Sequence, residues 1–339
     1  MQLNEIWFLI VGFLFIGYFV LDGFDFGVGM SLPFLGKDDT DRRVLINTIG
    51  PVWDLNETWV IVAGAALFAA FPEWYASLFS GFYLPLLIIL LALISRGVAF
   101  EYRGKGKTIG ADEVKWKAAF DWMIVIGSAV PALLWGVAFA NIVQGVPLNE
   151  QHIYVGTIFT LLNPYGLLGG LVTLTLFWTH GLVFISLKTD GEIQQRARNL
   201  ASKVGIIATV LAAGFLVWTL AAHFSVLGFV LSAIAAVSLI GALFANAFKR
   251  EGISFTLLVV TIVTAVGSLF AALFPNVFPS SIDPSFSLTI DNARSSDYTL
   301  GVMTWVAVIM IPLVLLYQGW TYWVFRNRIS RKSIPATSH

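Results

Sequence analysis

The positive charges of this chain alternate with its apolar stretches. Of the twenty Lys and Arg residues, all but Arg294 fall in every second gap between apolar stretches. Cytoplasmic loops of membrane proteins keep Lys and Arg, whereas translocated loops lose them. The pattern therefore predicts a polytopic membrane protein with its amino terminus outside and its carboxyl terminus in the cytoplasm.

The apolar stretches have the length of transmembrane helices, because each is close to the ~20 residues that cross ~30 Å of hydrocarbon. They are continuous and show no alternation of polar and apolar positions, which excludes a transmembrane barrel. We predict an all-α fold with nine transmembrane helices at residues 6–26, 51–70, 76–96, 118–142, 163–187, 204–222, 225–247, 255–275 and 302–325.

Composition supports the membrane as the solvent of this chain. Hydrophobic residues make up 58% and charged residues 12%, whereas a soluble domain has about a quarter of its residues charged. Zero cysteines exclude disulfides and thiolate chemistry, and a net charge of zero argues against nucleic acid as a partner. The first apolar stretch has no basic leader and predicts a retained helix. Residues 1–339 are expected to form one integral membrane domain.

A weak internal repeat is suggested by two similar segments. The stretch that ends in Asp22-Gly23 and the stretch that ends in His180-Gly181 are both Gly-rich, and a polar, basic segment follows each. The repeat predicts two four-helix bundles, at about 1–142 and 163–275, with a final helix at about 302–325. Chance similarity among Gly-rich membrane helices is the alternative.

Carboxylates near the inner ends of two predicted helices are candidate functional residues. The uncharged run before Asp22 is too short to cross, so the first helix must carry Asp22 and Asp25 into the membrane edge. An ionised carboxylate there must be paired, hydrated or protonated. The alternative is a helix that stops at Leu21 and leaves both acids in the headgroups.

The second group opens the second predicted helix. Pro51 suits the first helical turn, and the helix dipole favours Asp54 there without any function. Glu57 lies one turn deeper on the same face, which predicts a polar stripe of the kind that lines proton relays. Trp53 and Trp59 could each anchor the helix at the interface.

Asp121 opens the fourth predicted helix from the same inner side. Asp22, Asp25, Asp54, Glu57 and Asp121 could therefore converge in the cytoplasmic third of one bundle. No comparable set of acids enters from the outside. The asymmetry suggests proton uptake from the cytoplasm, although acids at helix starts are also common for electrostatic reasons.

Histidines and methionines give no convincing set of haem ligands. The four histidines are His152, His180, His223 and His339, and no two of them lie obviously at one depth. A lone buried histidine in a membrane helix is more often packed and hydrogen-bonded than a ligand. We therefore expect no metal and no haem iron to be bound by this chain.

Several motifs together resemble subunit II of the cytochrome bd quinol oxidases, and the resemblance covers almost the whole chain. The tandem of D-G-F-D-x-G-V-G-M and W-D-x-N is the most specific part. The segments that carry it are Leu21 to Met30, Asn47 to Trp59, Phe79 to Tyr83, Gly136 to Phe139 with Asn141, Gln144 to Pro147, Leu162 to Leu167, Pro279 to Ser281 and Val302 to Val308.

The resemblance implies a multi-pass subunit of a terminal oxidase in the cytoplasmic membrane of a prokaryote. Its partner, subunit I, would hold two b-type haems and one haem d and would oxidise membrane quinol at the outer face. The complex would reduce dioxygen to water and generate a proton motive force. A small accessory single-helix subunit and a structural quinone in this chain are further implied possibilities.

The resemblance also implies roles for individual residues. Asp25 and Asp54 would belong to a proton path, with Asp22, Glu57 and Asp121 as less certain members. By the same motifs, Trp53 would lie toward the haem cluster and Trp59 would border an oxygen route. Position 57 is Gln in some members of the family, so Glu57 as a second acid departs from that pattern.

Two other classes of function stay open at this level. A stand-alone transporter would place polar sites at broken helices near the midplane. Pro131 and Pro312 are candidates for such breaks, but no acid accompanies them. A purely structural partner subunit would tolerate neutral replacement of its acids.

Overall fold

Long α-helices dominate the computed structural model, which describes residues 2–334; His339 lies outside the described residues. That part of the chain also contains three shorter α-helices, four single-turn 3-10 helices and a small antiparallel pair of strands. The long helices are α1 (Leu3–Leu35), α3 (Trp53–Ala70), α5 (Tyr83–Tyr102), α6 (Glu113–Gln144), α8 (Pro164–Lys188), α9 (Gly191–Ala222), α10 (Val226–Ala247), α11 (Glu251–Leu273) and α12 (Asp297–Val324). The shorter elements are α2 (Asp39–Ile49), α4 (Pro72–Gly81), α7 (Ile158–Leu161), β1 (Asn276–Phe278) and β2 (Leu288–Thr289).

Eight of the long helices have the length and apolar composition of membrane spans, and α3 is the remaining one. With 18 residues, α3 is about 27 Å long, and it carries two acids in its first turns. The predicted all-α, multi-spanning fold is therefore confirmed. Nine crossings, and the placement of the amino terminus outside, stay predictions.

Two predicted boundaries differ from the structure. The first span was predicted to end at residue 26, with a stop at Leu21 as the alternative, but the helix continues to Leu35, through both of its carboxylates. The third predicted helix, at 76–96, begins too early because apolar composition is continuous across a break in the backbone. Pro72 starts α4 as a separate short helix, and α5 begins at Tyr83.

Helix α1 is the centre of the bundle. It packs against α3, α6, α8 and α11, and its buried residues extend over most of its length. The crossing with α8 is close because Gly27 meets Gly181. A Cβ added at Gly27 would lie 2.1 Å from the backbone oxygen of Phe177. Small residues are what such close crossings of membrane helices require.

Helix α12 packs differently from the other long helices. It contacts α1 and α3, and its buried residues are Leu300, Gln318 and Thr321. Met303, Ala307 and Tyr322 pack against the core, and most of its other apolar side chains are exposed, as expected for a lipid-facing or partner-facing helix. The residues that follow α12 return to the bundle, where the Ile329 backbone N–H donates to the Lys188 carbonyl at 2.8 Å.

Basic residues from separate loops gather at one end of the bundle, each paired with acids. This end is where α1 and α5 finish and where α6 and α9 begin. The ion pairs there join Arg42 and Arg103 to Asp121, Arg103 and Lys117 to Asp39, and Arg196 and Arg331 to Asp41. The loops that carry most of the Lys and Arg residues therefore meet at the same end of the helix bundle.

Candidate functional site

A buried ion pair joins α1 to α5 inside the bundle. Arg96 Nη1 donates to Asp22 Oδ1 at 3.0 Å, and both side chains are completely buried. Glu57 Oε2 of α3 lies 3.7 Å from the same guanidinium nitrogen and is 18% exposed. A charged side chain is costly to bury inside a membrane bundle unless it has a partner of opposite charge. Three membrane helices are thus tied together around one cation.

The cluster contains more acid than base. Asp22 and Asp25 lie three residues apart on α1, and Asp25 is also completely buried. With Glu57, three carboxyl groups share the neighbourhood of Arg96. Since an excess of negative charge in a low-dielectric interior is unfavourable, the cluster favours binding of protons to its carboxyl groups. An arrangement of this kind can accept and release protons.

Several polar atoms of the cluster have no hydrogen-bond partner within residues 2–334. They include Asp22 Oδ2, Asp25 Oδ1 and Arg96 Nη2. The Arg96 guanidinium lies over the rings of Phe26 and Phe100, at 4.8 and 5.4 Å from their centroids. These aromatic faces stabilise the cation. The free carboxyl oxygens are the positions at which a proton could be held.

Asp25 is bound by an amide from α3. Asn56 Nδ2 donates to Asp25 Oδ2 at 2.7 Å, and Asn56 Oδ1 accepts from two side chains of α12. Those donors are Gln318 Nε2 at 2.9 Å and the Tyr322 hydroxyl at 2.7 Å. Polar groups buried between membrane helices are normally hydrogen-bonded in this way. The cluster therefore extends across α1, α3, α5 and α12.

Asp54 lies at the exposed edge of the carboxyl cluster, near the start of α3. It lies one turn before Glu57 on α3, is exposed, and lies within electrostatic range of Glu101. Carboxylates thus extend from exposed Asp54, through partly exposed Glu57, to buried Asp22. The predicted grouping of Asp22, Asp25 and Glu57 agrees with the geometry, and Asp54 lies at its edge.

Asp121 does not join this cluster, which corrects the predicted convergence of five acids. It accepts from Arg42 at 2.9 Å and from Arg103 at 2.6 Å, in the ion-pair group at the end of the bundle. Gly127 of α6, rather than Asp121, lies beside Arg96. Six residues of helix separate the two levels by ~9 Å. Asp121 is held by two cations, and its role in a proton path stays a prediction.

The two tryptophans of α3 lie on different sides of the helix. Trp53 packs on Phe100, with ring centroids 5.1 Å apart. Trp59 is buried against Gly17, where an added Cβ would lie 2.2 Å from its ring. Its indole nitrogen donates to Gln318 Oε1 at 3.5 Å. The predicted proximity of Trp53 to haem in a partner stays a prediction.

Arg96, Gln318 and Tyr322 were not predicted as members of the site, and Asn56 was visible only as the last residue of the W-D-x-N motif. Arg96 was assigned to the inner end of the third span, although Gly97-Val98-Ala99-Phe100 continues the apolar sequence beyond it. That extra turn was the available signal for a buried cation. Gln318 and Tyr322 gave none, because their contacts with Asn56 span more than 260 positions along the chain.

His180 and His152 each contact a backbone carbonyl of another segment. His180 stacks on Phe255 with ring centroids 4.7 Å apart, and its Nε2 contacts the Val20 carbonyl at 3.1 Å. A carbonyl only accepts, so this nitrogen carries the proton. His152 Nδ1 contacts the Phe286 carbonyl. Within residues 2–334 no group of three or more His, Cys, Asp or Glu is placed to hold a metal.

Two apolar cavities lie between the helices. The first, of about 130 Å³, is enclosed by α6, α8, α9, α10 and α11, and its Thr173, Thr209 and Thr261 hydroxyls donate to helix carbonyls. Its lining suits an apolar molecule. The second, of about 50 Å³, is lined by Gly64 and Trp135 among other side chains. An apolar groove between α3 and α5 also includes Gly64.

Comparison with known proteins gives consistent similarities over the whole chain. Residues 3–325 match the family described as cytochrome bd terminal oxidase subunit II. The chain is 42% identical over 336 residues to cytochrome bd ubiquinol oxidase subunit 2 of Bacillus subtilis, with 98% of each chain covered. It is 39% identical over 378 residues to cytochrome bd-I ubiquinol oxidase subunit 2 of Escherichia coli, with 99% of this chain and 98% of that relative covered.

A solved structure has a similar fold. It is described as the structure of bd oxidase from Geobacillus thermodenitrificans, and the TM-score is 0.78 at 16% identity. The match covers 96% of this chain and 99% of the other. At this identity the similarity concerns the fold alone.

Proposed function

Because the chain belongs to the family of cytochrome bd terminal oxidase subunits II, we propose that its buried carboxyl cluster conducts substrate protons from the cytoplasm toward the site of oxygen reduction. The chain is a subunit of a respiratory quinol:oxygen oxidoreductase and a multi-pass membrane protein. It is not catalytic alone, and its partner is subunit I of the oxidase. These statements define the reaction that the cluster would serve.

The reaction requires protons as well as electrons. Two quinol molecules reduce one dioxygen to two water molecules, and the four protons of the water are drawn from the cytoplasm. We propose that subunit I holds two b-type haems and one haem d, which supply electron transfer and oxygen reduction. Four protons released from quinol at the outer face would then generate a proton motive force. The membrane is proposed to be the cytoplasmic membrane of a prokaryote.

The observation that carries the proposal is the gradient of exposure along the carboxyl groups. Asp54 is exposed, Glu57 is 18% exposed, and Asp22 and Asp25 are completely buried. A low-dielectric interior delivers protons only through titratable groups or ordered water. In this proposal Asp54 and Glu57 exchange protons with the inner aqueous face, and Asp22 and Asp25 receive them inside the bundle.

Neutral replacement of the carboxyl groups tests this role. Asp25→Asn keeps the shape of the side chain but removes the exchangeable proton. Turnover of the assembled complex with quinol and oxygen should fall by about 10²-fold, within the usual range for a missing proton-transfer group. Haem content and the visible spectrum should persist. Asp54→Asn should also lower turnover. If the two acids belong to one path, the double variant should lose no more turnover than the stronger single variant.

The matched control is Glu73→Gln, which neutralises an exposed carboxyl of α4. It should leave turnover unchanged. Full turnover and full proton uptake in assembled Asp25→Asn, Asp54→Asn and double variants would show that the acids are structural. The chain would then be a purely structural partner of subunit I.

An oxygen route forms a second part of the proposal. Dioxygen is apolar, and the groove between α3 and α5 and the interior cavity share the lining residues Gly64 and Trp135. We propose that oxygen enters there, about one turn beyond Trp59. A stored quinone in this subunit and a small accessory subunit are implied by family resemblance and stay predictions.

A further inference from the structure

The hydrogen bonds around Asn56 have a direction, because the groups at their two ends have fixed roles. At one end, Asn56 Nδ2 contacts the Leu21 carbonyl at 3.4 Å as well as Asp25 Oδ2. A backbone carbonyl only accepts, so the amide nitrogen of Asn56 must face α1. The oxygen of the same amide then faces α12.

At the other end, Trp59 fixes the orientation of Gln318. The indole nitrogen only donates, and it contacts Gln318 Oε1 at 3.5 Å. The amide nitrogen of Gln318 therefore faces Asn56 Oδ1, at 2.9 Å. The Tyr322 hydroxyl donates to the same oxygen at 2.7 Å. Two donors on α12 thus hold the Asn56 oxygen and leave its nitrogen for Asp25.

The four side chains form one relay in which every hydrogen bond points toward the carboxyl group. We infer that Trp59, Gln318 and Tyr322 are positioning residues that orient Asn56, so that Asp25 Oδ2 is always an acceptor and any proton on Asp25 is held at Oδ1. This inference rests on the proposed role of Asp25 in proton transfer. It names α12 as the helix that directs the proton to one carboxyl oxygen.

The side chains of the relay are buried between the helices, so their hydrogen bonds are shielded from solvent. Asn56 is completely buried, and Gln318 and Trp59 are 5% and 7% exposed. Gln318 is also a rare buried position on α12, a helix that otherwise faces outward. A polar side chain in such a helix is unfavourable unless it has a partner. The relay supplies that partner on α3.

The other groups around Asp25 act on its charge and not on the choice of oxygen. Asp22 on α1, Glu57 on α3 and Arg96 on α5 interact electrostatically with it. The Tyr322 hydroxyl on α12 is part of the relay. Asp25 Oδ1 itself has no hydrogen-bond partner in the described chain. The two carboxyl oxygens are therefore unlike, and only Oδ2 is occupied by the relay.

The test removes the donors on α12 without changing any carboxyl group. In the assembled complex, Gln318→Met combined with Tyr322→Phe leaves Asn56 free to rotate. Turnover should fall about tenfold, which corresponds to ~1.4 kcal/mol and is less than the loss expected for Asp25→Asn. The infrared carboxyl band that disappears in Asp25→Asn should change frequency in the combined variant. Tyr317→Phe, an exposed tyrosine of the same helix, is the matched control and should change neither.

A double-variant comparison separates positioning from general damage. In the Asp25→Asn background, Gln318→Met with Tyr322→Phe should cause no further loss of turnover, because the relay acts through Asp25. An additive loss, or an unchanged infrared band, would overturn the inference while leaving the proton path intact. Unchanged turnover in Asp25→Asn alone would instead refute the proposed function, and the infrared band would still report on the relay.

Discussion

Arg96 determines whether the acids of the site can be buried at all. Its guanidinium pairs with Asp22 and lies near Glu57, and no part of its side chain is exposed. Removing one partner of a buried ion pair leaves an uncompensated charge, which typically costs about 3–5 kcal/mol. The carboxyl groups can lower this cost by taking up protons. Arg96 is therefore expected to set both stability and the charge of the cluster.

We predict that Arg96→Gln lowers the thermal unfolding midpoint of the purified complex by several degrees. A second change, Asp22→Asn in the same complex, should recover part of that loss because it removes the unpaired carboxylate. Arg294→Gln is the control, since its pair with Asp297 is exposed and such pairs contribute ~0–1 kcal/mol. A midpoint for Arg96→Gln equal to that of Arg294→Gln would contradict the structural role of the buried pair.

Sequence alone located the acids of the site better than their partners. Asp22, Asp25 and Glu57 were visible because charge inside an apolar stretch is unfavourable and therefore conspicuous. Asn56 is uncharged, and its bonds to Gln318 and Tyr322 depend on how α12 packs against α3. Asp121 looked equivalent to the other acids, but two arginines from other loops bind it. Which acids share a cluster is decided by tertiary packing.

At the scale of helices, apolar length predicted the spans but not the breaks between them. The long stretches were recognisable because nothing else in a chain is apolar for ~20 residues. The start of α5 was missed because residues 76–82 are nearly as apolar as the helix that follows. The end of α1 was placed too early because Asp22 and Asp25 resembled an interface. Partners on α3 and α5 allow that helix to continue.

The packing of α3 beside α5 leaves the opening that we propose for oxygen. At Gly64 an added Cβ would meet nothing within 4 Å. Gly64→Leu should fill the cavity and raise the apparent KM for oxygen several-fold, while the KM for quinol stays unchanged. Gly64→Ala adds a methyl group into open space and serves as the control. A larger change in the quinol KM than in the oxygen KM would exclude this route.

At the scale of the whole molecule, α1 is the helix that links the others. It contacts α3, α6, α8 and α11, and α6 also packs directly against α8. The division into two four-helix bundles that the weak repeat suggests stays a prediction. Helix α12 is joined to the bundle through Trp7 of α1, through Asn56 of α3 and through the residues that follow it.

The C-terminal segment, residues 325–334, contacts α2 and α8 at the end of the bundle where the ion pairs gather. Arg331 donates to Asp41 Oδ1 at 2.6 Å and to Asp38 Oδ2 at 2.7 Å. The Asp41 backbone N–H and Arg331 lower the pKa of Asp38 below its ordinary value of 3.8. A carboxylate with a lowered pKa stabilises above its ordinary value, and the stabilisation is lost as pH falls through the lowered pKa. The contribution of Asp38 to this attachment should therefore stay constant between pH 8 and 5.

We predict that Arg331→Gln speeds backbone hydrogen exchange in residues 326–334 only a few-fold, since solvent-exposed ion pairs contribute little to stability. Lys332→Gln, which removes a neighbouring positive charge, is the control and should leave exchange unchanged. After correction for intrinsic rates, protection in the unmodified complex should stay constant from pH 8 to 5 and weaken only near and below pH 3.8. Added salt should weaken it at any of these pH values because exposed charges are screened. Protection that is lost between pH 8 and 5, or that is the same in Arg331→Gln, would mean that backbone bonds such as that from Ile329 to Lys188 hold the segment without these charges.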